Sequence, residues 1–163
     1  MSRIIVGVMG AGRDASAEAR EAAFELGRLI AREGWILLTG GRNAGVMDAA
    51  SRGAKEAQGL TVGILPGKDT EGMSDAVDIP IFTGMGQARN NINVLSSRLV
   101  FACGIGAGTA SEIALALKAG KKVILLCCNQ EGIDFFRALG KENVLVAAQP
   151  DEAVLMAKKL MLT

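Results

Sequence analysis

The 163-residue chain has no histidine and no tyrosine, one tryptophan, five phenylalanines, and three each of proline and cysteine. Each shortage removes a class of chemistry. Without histidine there is no Ser-His-Asp or Cys-His catalytic pair and no imidazole metal site, and the adjacent Cys127-Cys128 lacks the spacing of a zinc knuckle, so no metal centre is expected. Sparse aromatics leave no stacking platform for single-stranded DNA. The 18 basic residues, set against 17 acidic ones, are scattered rather than gathered into a groove, so nucleic acid is not an expected partner. No apolar run reaches transmembrane length, and the first strand begins at Arg3-Ile4 with no signal-peptide core before it, which predicts a cytoplasmic protein with no membrane partner. Cys103, Cys127 and Cys128 lie in or beside apolar runs, as reduced thiols do. The lysines read as helix ends or surface positions, which leaves no buried lysine for pyridoxal phosphate.

Aliphatic residues are what the chain has in excess. Half of it is hydrophobic but only 4% is aromatic, a composition suited to helices packed on a parallel sheet. The mean hydropathy of +0.31 is high for a soluble chain of this size and predicts a homodimer or homotetramer that covers the surplus. The length is that of one domain, residues 1–163. Short β-branched runs at residues 4–8, 35–38, 61–65, 78–82, 99–103, 123–127 and 144–146 alternate with helical patterns. This predicts an α/β, Rossmann-like, doubly wound and mainly parallel sheet of about seven strands with helices on both faces. Helices are expected between the first two strands up to Gly34, along Met47 to Ala57, over Ala88 to Ser96, from Thr109 to Ala119, and from Pro150-Asp151 onward. Gly67 to Ala76 reads as a loop.

Three glycine turns follow strand ends, and in such a sheet they collect on the carboxyl edge, where ligands bind. The turn Gly104-Ile-Gly106-Ala-Gly108-Thr109 opens a helix, whose free N–H groups suit an anion. Thr109 reads as its cap. Glu112, three residues on, then fits either a capping box or an active-site acid. Gly40-Gly41-Arg42-Asn43-Ala44-Gly45 precedes another helix in an anion-binding arrangement, with Arg42 and Arg13 solvated by default. Gly10-Ala-Gly12-Arg-Asp-Ala15 matches a dinucleotide fingerprint, but the second strand ends in Thr39-Gly40-Gly41 rather than an acidic residue, so NAD is not expected. Gly67-Lys68-Asp69 is no Walker loop. Arg89, just inside a helix start, opposes the local dipole there and so points to a ligand, whose phosphate or carboxylate its planar fork suits.

In this order the motifs resemble those of the Lonely Guy family, formerly called lysine decarboxylases and known for cytokinin-activating phosphoribohydrolases. The matches are Gly40-Gly41-x-x-x-Gly45-x-Met47, Met85-x-x-x-Arg89-Asn90 and Gly104-x-Gly106-x-Gly108-Thr109-x-x-Glu112. The chain resembles most a branch that includes the molybdenum-cofactor carrier proteins. Asn90 stands in place of the family's lysine, Gly104-Ile105 in place of Pro-Gly, and Ala107 in place of the usual tyrosine. The resemblance implies a phosphorylated ligand, with the molybdenum cofactor as the bound group and molybdoenzymes as its recipients. It also implies an alternative, hydrolysis of the N-glycosidic bond of a nucleoside 5′-monophosphate, in which Arg89 and Glu112 would be catalytic. The expected ligand contacts are Gly10, Gly12, Gly40, Gly41, Asn43, Gly45, Arg89, Asn90, Gly104, Gly106, Gly108, Thr109 and Glu112.

Overall fold

The computed structural model describes residues 3–162; the expected domain spans 1–163, so residues 1, 2 and 163 lie outside the described residues. Seven strands form one sheet: β1 (Ile5–Gly10), β2 (Ile36–Thr39), β3 (Thr61–Leu65), β4 (Ile79–Phe82), β5 (Val100–Cys103), β6 (Val123–Leu126) and β7 (Val144–Val146). Their order is β4-β3-β2-β1-β5-β6-β7 and every pairing is parallel, as the alternating pattern predicts. Six helices connect or follow them: α1 (Ala17–Arg32), α2 (Gly45–Glu56), α3 (Asn90–Ser96), α4 (Ala107–Lys118), α5 (Gln130–Gly140) and α6 (Pro150–Leu162). A 3₁₀ turn over Gly86–Arg89 leads into α3, and another, Lys141–Asn143, precedes β7. No helix among the described residues is long and apolar enough to cross a membrane.

Period-two alternation divides the strands between two cores. Val6, Val8, Leu37, Phe101, Ile124 and Leu126 face α1, α2 and α6, while Met9, Leu38, Val100, Ala102, Val123 and Leu125 face α3, α4 and α5. Because both faces are buried, the strands read as continuous apolar runs. Two expectations need correction. Helix α5 lay in no predicted segment, since it buries only Ile133 and Phe136. Helix α4 starts at Ala107 with Gly106 as its N-cap, two residues before the expected Thr109 start.

The strand order reverses at β1. The chain runs outward from β1 to β4, crosses back through α3 and resumes at β5 on the other side of β1. Gly10 is in register with Cys103, so the turns that follow these two strands lie side by side at the carboxyl edge. This is the switch point at which doubly wound sheets hold ligands.

Helices α1 and α2 meet through glycine. A Cβ on Gly27 would lie 2.0 Å from the Ala50 carbonyl oxygen, and one on Gly53 1.9 Å from that of Phe24. Backbone cannot yield as a side chain can, so Gly27→Ala is expected to destabilise the fold by roughly 3 kcal/mol or more, at or beyond the upper end of ordinary overpacking. Gly67→Ala, which meets nothing within 4 Å, should stay within about 0.5 kcal/mol of wild type. Urea denaturation of the two variants checks this, and equal midpoints would refute the close-contact account.

Candidate functional site

A cleft of about 280 Å³ opens at the β1/β5 switch point. Of the expected contacts, Gly10, Gly12, Arg89 and Asn90 line it, together with Gly106, Gly108, Thr109 and Glu112. Gly40, Gly41, Asn43, Gly45 and Gly104 do not line it. A Cβ on Gly40 would come within 2.9 Å of the Arg89 guanidinium, and Gly104 takes a positive φ of 73° to turn the chain out of β5. Gly45, at φ 54°, presses onto the Gly12 carbonyl, and the next N–H, that of Val46, donates to the Ala11 carbonyl at 3.0 Å. One N–H of the first turn of α2 is therefore spent on the neighbouring turn.

The start of α4 is different. Ala110 is the first residue to donate to the N-cap carbonyl, at 2.8 Å to Gly106, and no side chain caps this helix. The N–H groups of Ala107, Gly108 and Thr109 thus stand at the positive end of a 12-residue helix with no acceptor among the described residues. Thr109 itself is 2% exposed, and its hydroxyl has no partner among the described residues.

This start position also corrects the capping-box reading. With Gly106 as N-cap, Thr109 is inside the helix and Glu112 is one turn further in. The Glu112 carboxylate instead accepts a hydrogen bond from Asn93 Nδ2 at 3.1 Å, across from α3. Burial pushes its carboxyl up to about 7, against the opposing influence of the Asn93 hydrogen bond and the Arg89 charge.

Arg89, expected to present its fork to the ligand, is 4% exposed and largely turned onto the scaffold. Its Nε donates to the Ile64 carbonyl at 2.7 Å, its Nη2 to the Gly40 carbonyl at 3.3 Å, and its Nη1 to the Gly86 carbonyl at 3.4 Å and Asn90 Oδ1 at 3.5 Å. Burial depresses the guanidinium's proton affinity, the Glu112 charge raises it, and the Arg42 charge depresses it further. Six lining residues are absent from the expected contacts: Ala11, Asp14, Arg42, Met47, Gln87 and Ala107. Asn90 reaches across to α4, its Nδ2 donating to Ser111 Oγ at 3.0 Å. The cysteines are free, and burial pushes all three thiols up, Cys128 to about 11, which leaves them inert.

A family model matches residues 3–154, nearly the whole chain. The chain belongs to the SLOG cluster4 family. Within reach of this SLOG chain lies a molybdenum cofactor binding protein from the phototrophic bacterium Rippkaea orientalis, 54% identical over 99% of both chains, with a TM-score of 0.96. The molybdenum cofactor carrier protein of Chlamydomonas reinhardtii is 53% identical over 99% of this chain and 100% of its own, with a TM-score of 0.95. An uncharacterized protein of Archaeoglobus fulgidus is 47% identical over 126 residues, 77% of this chain and 82% of that protein. The similarity to molybdenum-cofactor carriers read from the motifs is thus borne out.

The raised Glu112 carboxyl sets a pH dependence. The folded protein keeps a proton up to about 7 that the unfolded chain releases at about 4.5. Folding therefore binds a proton between these values, and stability falls as pH rises from about 4.5 to about 7, by on the order of 3 kcal/mol in total. Glu112→Gln should flatten that slope. Thermal unfolding of wild type and variant from pH 4.5 to 8 checks it; parallel curves would show that Glu112 titrates normally.

Proposed function

We propose that the chain is a cytoplasmic carrier that binds the molybdenum cofactor by its phosphate at the β1/β5 cleft and passes it to molybdoenzymes. The observation that carries this reading is the pair Gly106 and Gly108. Neither has a positive φ, and an added Cβ meets nothing closer than 4.0 Å at Gly106 and nothing within 4 Å at Gly108. Gly10, by contrast, is needed for packing, because a Cβ there would lie 2.5 Å from Val46. Glycine disfavours a helix, so Gly108, inside the first turn of α4 with no packing or backbone requirement, leaves clearance for a ligand together with the open N-cap Gly106. That ligand closes on the three free N–H groups, donors that suit a phosphate. The names of the two similar solved proteins support the identity of the ligand.

A second reading, hydrolysis of the N-glycosidic bond of a nucleoside 5′-monophosphate, has one observation in its favour. Glu112 lines the cleft with a carboxyl near 7, suited to moving a proton or to stabilising positive charge on a ribose ring. The two readings separate in one set of measurements. For a carrier, purified protein retains the cofactor, incubation with AMP releases no adenine, and Gly108→Ala weakens cofactor binding about tenfold or more while leaving the melting temperature unchanged or higher. Adenine release by wild type, abolished in Glu112→Gln, would establish the hydrolase.

We also infer a homodimer or homotetramer. Strand β4 is the sheet edge, yet Ile79, Ile81 and Phe82 on it and Met85 just beyond are 42–50% exposed. Clustered apolar exposure of this kind marks an interaction surface. Sedimentation at micromolar concentration should show more than a monomer, and a lone monomer overturns the inference.

A further inference from the structure

We infer that Arg42 is the side chain that grips the anionic group of the ligand, while Arg89 is a positioning residue that holds the cleft in shape. The inference takes the site from the proposed function but not the ligand's identity.

Arg42 follows β2 in a turn whose backbone is fixed on both sides. Thr39 Oγ1 accepts the Gly41 N–H at 3.0 Å, the Gly41 carbonyl accepts the Ser74 N–H at 2.9 Å, and the Asn43 N–H donates to the Gly72 carbonyl at 2.9 Å. Arg42 itself forms an isolated β-bridge with Met73. The side chain that this pinned turn projects into the cleft has no hydrogen bond or ion pair among the described residues. Arg28 pairs with Glu25 at 2.9 Å and Glu56 at 3.4 Å, and Arg52 with Asp48 at 2.7 Å, while other arginines without a partner among the described residues, such as Arg20 and Arg137, do not line the cleft. Arg42 therefore brings an unneutralised cation to the cleft on a backbone that needs little further ordering.

Its neighbours increase the demand for an anion. Arg42 and Arg89 repel one another, and the α4 N-terminus adds partial positive charge from the opposite wall. Of the two carboxyl groups lining the cleft, Glu112 is bonded to Asn93 and half protonated near pH 7, and Asp14 pairs with neither arginine. Arg89 cannot turn its fork outward without giving up the carbonyls of Ile64, Gly40 and Gly86. Arg42 gives up nothing, and its planar fork suits a phosphate through two charge-assisted hydrogen bonds.

The test titrates pyrophosphate into the full chain by calorimetry, alongside the amount of molybdenum cofactor retained through purification. Arg42→Ala should weaken pyrophosphate about ten- to a hundredfold, the usual loss for a hydrogen bond to a charged group. Arg42→Lys should recover part of that, since it keeps the charge but not the fork, and the exposed Arg20→Ala should change nothing. Melting curves of all three should match wild type. Pyrophosphate affinity in Arg42→Ala within twofold of wild type overturns the assignment, as does a wild type that fails to bind pyrophosphate at millimolar concentration. A wild type that binds pyrophosphate through Arg42 but retains no molybdenum cofactor upholds the assignment and counts against the proposed function.

Discussion

A buried guanidinium holds the carboxyl edge of this sheet together. Taking the charge of Arg89 out of water costs several kcal/mol unless its donors find partners, and the partners come from three separate segments: the end of β3, the residue after β2 and the 3₁₀ turn before α3. None of these can move far without stranding a donor. Gly40 has no side chain because a Cβ would crowd the same guanidinium, at 2.9 Å. The opening of the cleft between β1 and β5 is thereby fixed from the β2–β3 side, and the charge that fixes it also acts on Glu112 across the cleft.

Around that fixed point the polar groups divide by freedom. Asn93 is buried completely and spends its amide N–H on the Glu112 carboxyl. Arg89 spends its donors on carbonyls. Both are committed before any ligand arrives, so they shape the site more than they contact its contents. The groups still uncommitted are the first three N–H groups of α4, the Thr109 hydroxyl and the Arg42 guanidinium. All are donors. Such a set of spare donors suits an acceptor-rich anion such as phosphate, and it is separate from the interactions that hold the fold.

The fold was legible because strands buried on both faces are nearly continuous apolar runs, and because glycine turns after strand ends locate the carboxyl edge. Helix α5 is not legible for the opposite reason: two buried positions in 11 residues give no apolar stripe. Its start did carry a signal, Asn129, whose Oδ1 accepts the Gly132 N–H at 3.1 Å. Thr109-x-x-Glu112 matched a capping box in spacing, but the true start is set by Gly106, which has no side chain to announce it. The commitment of Arg89 to the scaffold was not legible, because sequence shows which side chains carry a fork but not how many carbonyls stand around each one. Arg89 met four acceptor atoms and Arg42 met none.

The unsatisfied groups sharpen this contrast. Burying a hydroxyl or amide oxygen without a partner costs on the order of 1–3 kcal/mol, and Thr109 Oγ1, Asn93 Oδ1 and Ser51 Oγ are the buried side-chain atoms in that state among the described residues. Ser51 belongs to the α2 packing face, but Thr109 and Asn93 flank Glu112 on either side of the α3–α4 contact. A threonine in the third position of α4 could have been replaced by an apolar residue of similar size at no loss to the core. Keeping an idle hydroxyl there, beside three idle N–H groups and two glycines that no packing requires, is a local departure from an otherwise self-consistent fold. Such departures collect where function constrains the chain.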